Sequence, residues 1–170
     1  VSGEVGIKTA IQEGADVLLF DSISNIEELF LLLSAANSGM LVFATATGNN
    51  TVSLLNRFLD SVPQNLRSSL AASLADLLKG IIVQHLIPVV DGEGLVLATE
   101  SMKVSSTIAN LLRKEEIAQI PAALSSAKGT AISLDDSLKM LVDSGYIEGV
   151  EAWKHAFDAR SFASYRPGRN

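Results

Sequence analysis

Residues 15–48 constrain the fold of this chain more than any other stretch. They hold two short apolar runs, Val17–Phe20 and residues 40–44, separated by a segment with helical spacing. Runs of four or five apolar residues are typical of strands that are buried on both faces of a sheet. Two such strands joined by a helix predict a parallel βαβ unit.

The segment between the two runs carries the start and stop signals of a helix. Asn25 is followed three residues later by Glu28, as in a capping box, and Gly39 stands where the helix should end. The apolar side chains between these signals recur at helical spacing and predict one buried face: Ile26, Leu29, Phe30 and Leu33. The predicted order is therefore strand, helix, strand.

Candidate functional residues lie where the two predicted strands end. In parallel sheets, ligands bind beyond the carboxyl ends of the strands. Here those ends carry Asp21 and Ser22 after the first run, and Thr45 to Thr47 after the second. We expect any site of this unit to lie at that edge.

The composition limits the kinds of protein that this chain can be. Of its 170 residues, 48% are hydrophobic and 19% are charged, which favours a folded domain over a disordered segment. The net charge of −6 argues against a surface that binds nucleic-acid phosphates. The sequence has no cysteine, which excludes disulfides and thiolate metal sites, and no apolar run approaches the ~20 residues of a membrane span.

Further elements follow from local signals. A helix over residues 7–13 precedes the first strand, Asn50 caps a helix after the second strand, and leucines at helical spacing predict another helix before Gly80. Residues 80–88 and 95–100 are predicted to form an antiparallel hairpin around a turn at 91–94.

The remainder of the chain, from Ser105 onward, is predicted to be helical. Ser106 and Ser133 are the expected N-caps of two helices, because each serine directly precedes a run with helical apolar spacing.

Two polar loops allow either a functional or a structural interpretation. Residues 48–50 could contact a phosphate group or could connect two elements. Asp91 and Glu93 could bind a metal ion or could lie on a solvated hairpin turn. The structural interpretation is favoured for both, because loops and turns are rich in these residue types.

His85 and the adjacent Asp135 and Asp136 are open to two interpretations as well. His85 could be catalytic, or it could be a strand residue that faces solvent or a helix. The two aspartates could be an acid–base pair, or they could be carboxylates favoured at a helix N-terminus. Here too the structural interpretation is favoured.

Three motifs stand out along the chain: SAANSG at 34–39, LVFATATG at 41–48 and GIIVQHLIP at 80–88. They resemble TAAxTG, LVFGTLHT and GVISQQLLP of the ATPases of type II secretion and type IV pili, including the twitching-motility retraction motors, and the resemblance covers nearly the whole chain. An apolar strand that ends in an acidic residue is also how a P-loop ATPase positions its Mg²⁺-holding carboxylate. The resemblance implies an α/β fold, a RecA-like P-loop NTPase half-domain with a helical C-terminal region.

The residues that carry the chemistry of that family are replaced in this chain. The degenerate motifs contain Asp21 and Ser22 at Walker B, Ser24 and Asn25 at the acidic box, and Thr45 and Thr47 at the histidine box, with Thr47 at the position of the histidine. The resemblance places Ser22 at the glutamate that activates the attacking water. A serine hydroxyl is a poor base at neutral pH, so the resemblance implies that this function is lost. Asp21 could hold a metal ion only if nucleotide were present.

A Walker A loop, GxxxxGK[ST], is absent from the 170 residues. In the family it lies upstream of Walker B, so the resemblance places it before Val1. The opening without Met suggests a C-terminal fragment of a longer protein. We expect a sheet portion with its hairpin at 1–104, a helical region at 105–160 and a flexible tail at 161–170.

Three functional hypotheses follow from these observations. The favoured one is a degenerate, non-hydrolysing homologue that serves as an assembly or regulatory subunit, without ATPase activity or a cofactor of its own, although the family uses Mg-ATP. The alternatives are a C-terminal fragment of a working motor and an unrelated protein-interaction module.

The resemblance also implies partners and a location. The expected partners are proteins of the secretion or pilus machinery, homologous ATPase subunits or further copies of the chain, and not nucleic acid. The expected location is the cytoplasm or the periphery of the inner membrane.

Overall fold

The computed structural model describes residues 3–126 and 131–167. Contacts divide the chain into two units. Unit 1 comprises Val1–Lys79 and Val104–Ala118, and unit 2 comprises Gly80–Lys103 and Gln119–Asn170. This division differs from the expected boundary near residue 104, because the hairpin packs with the C-terminal helices.

Unit 1 contains the predicted βαβ unit. Its elements are, in order, α1 (Gly3–Gln12), β1 (Val17–Phe20), α2 (Ile26–Asn37) and β2 (Leu41–Ala44). The two strands pair in parallel with Val17 opposite Leu41, which confirms the prediction. The Asn25 side chain caps α2 by accepting the Glu28 N–H at 2.8 Å. Gly39, with φ of +100°, turns the chain out of the helix.

Helices supply the rest of unit 1. They are α3 (Thr51–Asp60), α4 (Gln64–Leu77) and α5 (Ser106–Arg113), and the chain leaves the unit in a 3-10 turn at Ile117–Gln119. Asn50 caps α3, as predicted. The cap of α5 is Ser105 rather than the predicted Ser106, because Ser105 has the extended backbone of a cap residue and accepts the Ile108 N–H at 3.3 Å.

The core of unit 1 is built from its helices. Its largest fully buried side chains are Ile7, Leu55, Leu59, Leu70, Leu112 and Ile117. None of the eight residues of β1 and β2 is fully buried.

The prediction that β1 and β2 are buried on both faces was wrong. The register places Val17, Leu19, Leu41 and Phe43 on one face, where their exposed fractions are 56%, 76%, 50% and 54%. We call these four residues the apolar quartet. The opposite face, which includes Leu18, is half-buried, and the strands contact α1 and α2. The strands are apolar on both sides, but the described residues cover only one.

Unit 2 is built around an antiparallel sheet. Its strands are β3 (Gly80–Pro88), β4 (Leu95–Lys103) and the short β5 (Ala131–Ile132). Gly80 pairs with Lys103 and Pro88 with Leu95, which confirms the predicted hairpin. The prediction that the chain is helical from Ser105 onward was wrong at β5. Ile132 pairs there with Ser101, 31 residues away, and local spacing does not encode such a contact.

Helices cover one face of this sheet. They are α6 (Ile120–Ser126), α7 (Leu134–Asp143), α8 (Gly149–His155) and a 3-10 helix at Ala159–Tyr165. Ser133 caps α7, as predicted. The shared core consists of Ile87, Ala98, Leu134, Leu138, Ile147, Ala152 and Phe162. Part of the tail that was expected to be flexible is packed in this core, because Phe162 is buried there. Residues 168–170 of the tail lie outside the described part.

The exposure of the apolar quartet leads to a prediction about stability. In this chain Leu19→Ala should lower the free energy of unfolding by less than ~1 kcal/mol, as for most surface substitutions. Leu55→Ala is the matched control in the same unit; its side chain is fully buried, so the cavity should cost ~2–5 kcal/mol. Urea unfolding followed by far-UV circular dichroism compares the two variants with wild type. Equal destabilisation would mean that Leu19 is covered in solution.

Candidate functional site

The structure brings Asp21, Ser22 and Thr45 together at the carboxyl ends of β1 and β2. Thr45 Oγ1 donates a hydrogen bond to Asp21 Oδ1 at 2.8 Å and accepts one from the Ser22 N–H at 2.8 Å. The Ile23 N–H donates to the Thr45 carbonyl at 2.8 Å, so backbone pairing continues past the strands. All three side chains of the group are exposed. The edge predicted to carry a site therefore holds a small surface network of hydroxyl and carboxylate groups.

Ser22 has a backbone conformation that is unusual for a residue with a Cβ. Its φ is +64°, in the left-handed region, which costs about 1–2 kcal/mol relative to the right-handed form. The hydrogen bond from its N–H to Thr45 stabilises the turn. Thr45 thus has a structural role at this edge that is independent of any ligand.

Ser24 and Asn25 lie at the start of α2 and bind Glu28. The Ser24 N–H and hydroxyl both donate to Glu28 Oε2 at 2.8 Å, while Asn25 provides the cap. Glu28 is buried, and a Cβ at Gly3 would come within 2.7 Å of Glu28 Oε1. The sequence revealed the Asn25–Glu28 spacing, but not that the carboxylate would take both Ser24 donors.

These contacts change the acidity of Glu28. The Ser24 N–H, then the Ser24 hydroxyl, favour the ionised carboxylate and hold the pKa of Glu28 below its usual value of 4.5. Partial burial acts in the opposite direction and is the smaller influence. Glu28 is therefore an ionised group at the start of α2, and its Oε2 already accepts two hydrogen bonds.

Thr47 stands apart from the other candidates, exposed in the loop between β2 and α3. The neighbouring residues 48–50 serve the next helix. Asn50 Oδ1 accepts the Ser53 N–H at 2.8 Å, and the Ser53 hydroxyl lies 3.3 Å from the Asn50 N–H. The structural interpretation of this loop accounts for its polar residues.

The acidic candidates of unit 2 lie on the hairpin turn and at the start of α7. Asp91 and Glu93 are exposed on the hairpin turn, beside Gly92 with φ of +72°. Asp135 accepts the N–H groups of Phe157 at 2.7 Å and Asp158 at 3.0 Å, and thereby secures the chain after α8. Within residues 3–126 and 131–167, no group of three or more histidine and acidic side chains is arranged to hold a metal ion.

His85 faces a helix, which is one of the two structural alternatives for this residue. Its ring lies edge-on to that of His155 in α8, with 6.2 Å between the ring centroids. His155 Nε2 lies 4.0 Å from a Glu151 carboxylate oxygen. The two histidines of the chain thus form one contact between the sheet and helix of unit 2.

The residues at the edge of β1 and β2 do not fit a nucleoside triphosphate. Binding of phosphates in such sites relies on a Gly-rich loop, a lysine and cationic clamps. No lysine or arginine occurs between Lys8 and Arg57, whereas five acidic residues do: Glu13, Asp16, Asp21, Glu27 and Glu28. Asp21 already accepts a hydrogen bond from Thr45. Glu13 and Asp16 precede β1 at its amino end, so Asp21 is the acid that directly follows a strand at this edge.

Comparison with solved structures defines the fold as that of the PilT and DotB ATPases. The pilus retraction motor PilT with bound ADP matches with a TM-score of 0.85 and 28% identity, over 94% of this chain and 45% of that one. The DotB ATPase of Yersinia pseudotuberculosis matches with a TM-score of 0.80 over 91% of this chain and 40% of that one. At 20% identity, the second match shows likeness of fold alone.

Sequence comparison identifies the homologues as twitching-motility ATPases. The type IV pilus retraction ATPase PilT of Pseudomonas aeruginosa is 30% identical over 151 residues, 88% of this chain and 44% of that protein. PilU of the same organism is 28% identical over 159 residues, and a twitching motility protein of Neisseria gonorrhoeae is 28% identical over 158. These two matches cover 93% and 92% of this chain, and 42% of each relative. No protein-family model matches the chain.

These matches confirm the resemblance seen in the motifs. The chain corresponds to the C-terminal half of PilT-like ATPases and spans less than half of their length. They give no support to the hypothesis of an unrelated interaction module. In the described ranges, no helix combines the length and apolarity needed to cross a bilayer.

The contacts of Glu28 lead to a prediction about pH. A carboxyl group with a depressed pKa in the folded state contributes stability that is fully present above its unfolded pKa. That contribution is lost as pH falls through the folded pKa. Glu28→Gln should therefore be less stable than wild type at neutral pH, and the difference should shrink below about pH 5. Urea unfolding between neutral pH and pH 3.5 measures it.

Glu27→Gln is the matched control, because Glu27 is the adjacent acid of the same helix and is exposed. It should follow the wild-type profile. If the difference between wild type and Glu28→Gln were the same at every pH, the proposed ionised cap would be wrong.

Proposed function

We propose that this chain is a non-hydrolysing homologue of the pilus retraction ATPases that acts as an assembly or regulatory subunit. The observation that carries the proposal is Ser22 at the Walker B glutamate position, set in a turn with Asp21 and Thr45. A glutamate there would orient and deprotonate the attacking water. Loss of a general base typically costs a factor of ~10²–10⁴ in rate, and serine cannot replace it at neutral pH.

The remaining chemical positions support the same proposal. Ser24 and Asn25 are engaged with Glu28 in capping α2, and Thr47 lies on an exposed loop. Developing negative charge on a transferring phosphoryl group requires cationic partners. The absence of lysine and arginine from residues 9–56 removes the local source of such partners.

The homology supports a role within an assembly. The chain keeps the scaffold motifs and the fold while losing the catalytic side chains, which suits a subunit that contributes contacts rather than turnover. We propose that it joins pilus or secretion machinery, together with homologous ATPase subunits or further copies of itself. Its proposed location is the cytoplasmic side of the inner membrane.

A second candidate function is the C-terminal part of a working motor. The observation that favours it is the match to less than half of each relative, which leaves room for a nucleotide-binding loop outside the matched portion. In that case the substitutions at Ser22 and Thr47 would have been compensated elsewhere.

The proposed function predicts no ATP hydrolysis by this chain. We also expect none from the double variant Ser22→Glu/Thr47→His, because restoring the base and the box histidine leaves the phosphates without a cradle. The measurement is phosphate release from Mg-ATP by purified protein, with a no-protein blank and Ser22→Ala/Thr47→Ala as the matched control. Release above the blank by wild type that the alanine variant loses would overturn the proposal.

A further inference from the structure

We propose that Arg67 and Ser68 form an ionic latch on Glu115, which holds the end of α5 in a strained left-handed turn. When the latch is released, this turn opens while the rest of unit 1 stays folded. The latch consists of these three side chains. It goes beyond the proposed function, because it is a conformational device of unit 1 and involves neither nucleotide nor a partner.

Glu115 occupies a backbone position that glycine takes at other helix ends of this chain. It follows the C-cap residue of α5, and its φ is +59°. The Glu115 N–H donates to the Leu112 carbonyl and the Glu116 N–H to the Leu111 carbonyl, both at 2.9 Å, as in a Schellman motif. The same two hydrogen bonds follow α1, α2 and α7, where the left-handed residue is a glycine: Gly14, Gly39 and Gly145.

A glutamate in this position is strained, because its Cβ lies too close to the following carbonyl oxygen. For a residue with a side chain, the left-handed form is about 5- to 30-fold less populated than the right-handed form. Glycine adopts both forms about equally. Strain of this kind persists only where surrounding contacts stabilise it. Glu115 therefore needs a stabilising contact that the glycines at the other helix ends do not need.

Two neighbouring residues of α4 provide that contact. Arg67 Nε donates to Glu115 Oε2 at 2.8 Å, and the Ser68 hydroxyl donates to Glu115 Oε1 at 3.0 Å, so both carboxylate oxygens are bound. Arg67 Nη1 also donates to Asp60 Oδ1 at the end of α3, at 2.6 Å. The side chains of Arg67 and Glu115 are each 24% exposed, so solvent and salt screen this pair less than an exposed one.

The turn at Glu115 also positions the segment through which the chain leaves unit 1. Ile117 follows the turn, and its side chain is buried in the core. Unit 1 ends at the next residue, Ala118. Without the latch, the strain at Glu115 is no longer offset, so the turn relaxes and its two hydrogen bonds open. The latch thus controls this segment.

A second ion pair joins the same two helices and provides a comparison. Arg113 Nη2 of α5 donates to Asp76 Oδ1 of α4. The side chains of this pair are 45% and 61% exposed, and both residues lie within regular helices. Exposed pairs of this kind contribute little to stability. Only the pair of Arg67 and Glu115 combines partial burial with a strained backbone.

Native-state hydrogen exchange of the full chain tests the latch. In wild type, the amides of Lys114 and Glu116 should exchange by local opening, which exposes little surface. Their exchange should therefore depend less on urea than that of the Leu70 and Leu74 amides in α4. Arg67→Gln should lower the protection factor of the Glu116 amide by about tenfold or more, because hydrogen bonds to a charged group are lost.

Replacement of Glu115 in the Arg67→Gln background tests the role of strain. Glu115→Gly should restore about threefold or more of the lost protection, because glycine adopts the left-handed turn without strain. Glu115→Ala should restore none, because alanine keeps the strain and lacks the carboxylate. An ion pair without a strained turn would give the same result for both variants.

Arg113→Gln is the matched control, since it removes the exposed pair between the same helices. It should change the protection of the Glu116 amide by less than about threefold. Ser68→Ala is a milder second latch variant, and circular dichroism checks the fold of each variant.

Three results would each overturn the latch. The first is a urea dependence at Lys114 and Glu116 equal to that of the α4 amides. The second is wild-type protection of the Glu116 amide in both Arg67→Gln and Ser68→Ala. The third is equal protection in the glycine and alanine variants of residue 115. None of these measurements involves ATP hydrolysis, so the latch stands or falls separately from the proposed function.

Discussion

The structure of unit 1 depends on one constraint, that parallel strands require apolar cover on both faces. The sequence supplies two strands that meet this requirement, since Val17–Phe20 and Leu41–Ala44 are apolar at every position. α1 and α2 contact these strands, and the half-buried face includes Leu18. The face of Leu19 and Phe43 is left to solvent. The fully buried side chains of unit 1 lie outside the two strands.

Much of the fold was predictable because its signals are local. The Asn25 and Ser133 caps, the glycine after α2 and the hairpin turn each depend on residues within a few positions of one another. The exposure of one face of β1 and β2 could not be predicted from such local signals. An apolar strand sequence shows that the strand favours burial, but it does not show which element covers it. β5 shows the same limit, because its pairing with Ser101 spans 31 residues.

The polar side chains at the ends of the two strands lie together, as the parallel pattern predicts, but their role as a functional site stays a prediction. Parallel topology places Asp21 and Thr45 at one edge, so their proximity follows from the βαβ pattern. The positive φ of Ser22 and the double hydrogen bond from Ser24 to Glu28 depend on side-chain geometry that spacing does not reveal. In both cases polar groups form hydrogen bonds within the fold.

Native-state amide hydrogen exchange tests most directly the claim that one face of the β1–β2 pair is exposed to solvent. In the chain alone, amides of residues 17–20 and 41–44 should exchange at least about tenfold faster than those of Leu70 and Leu74 in the buried face of α4, because partly exposed elements open at lower free energy. Protection of both strands equal to that of α4 would contradict the account, since it would show that the strands are stable without a covering partner.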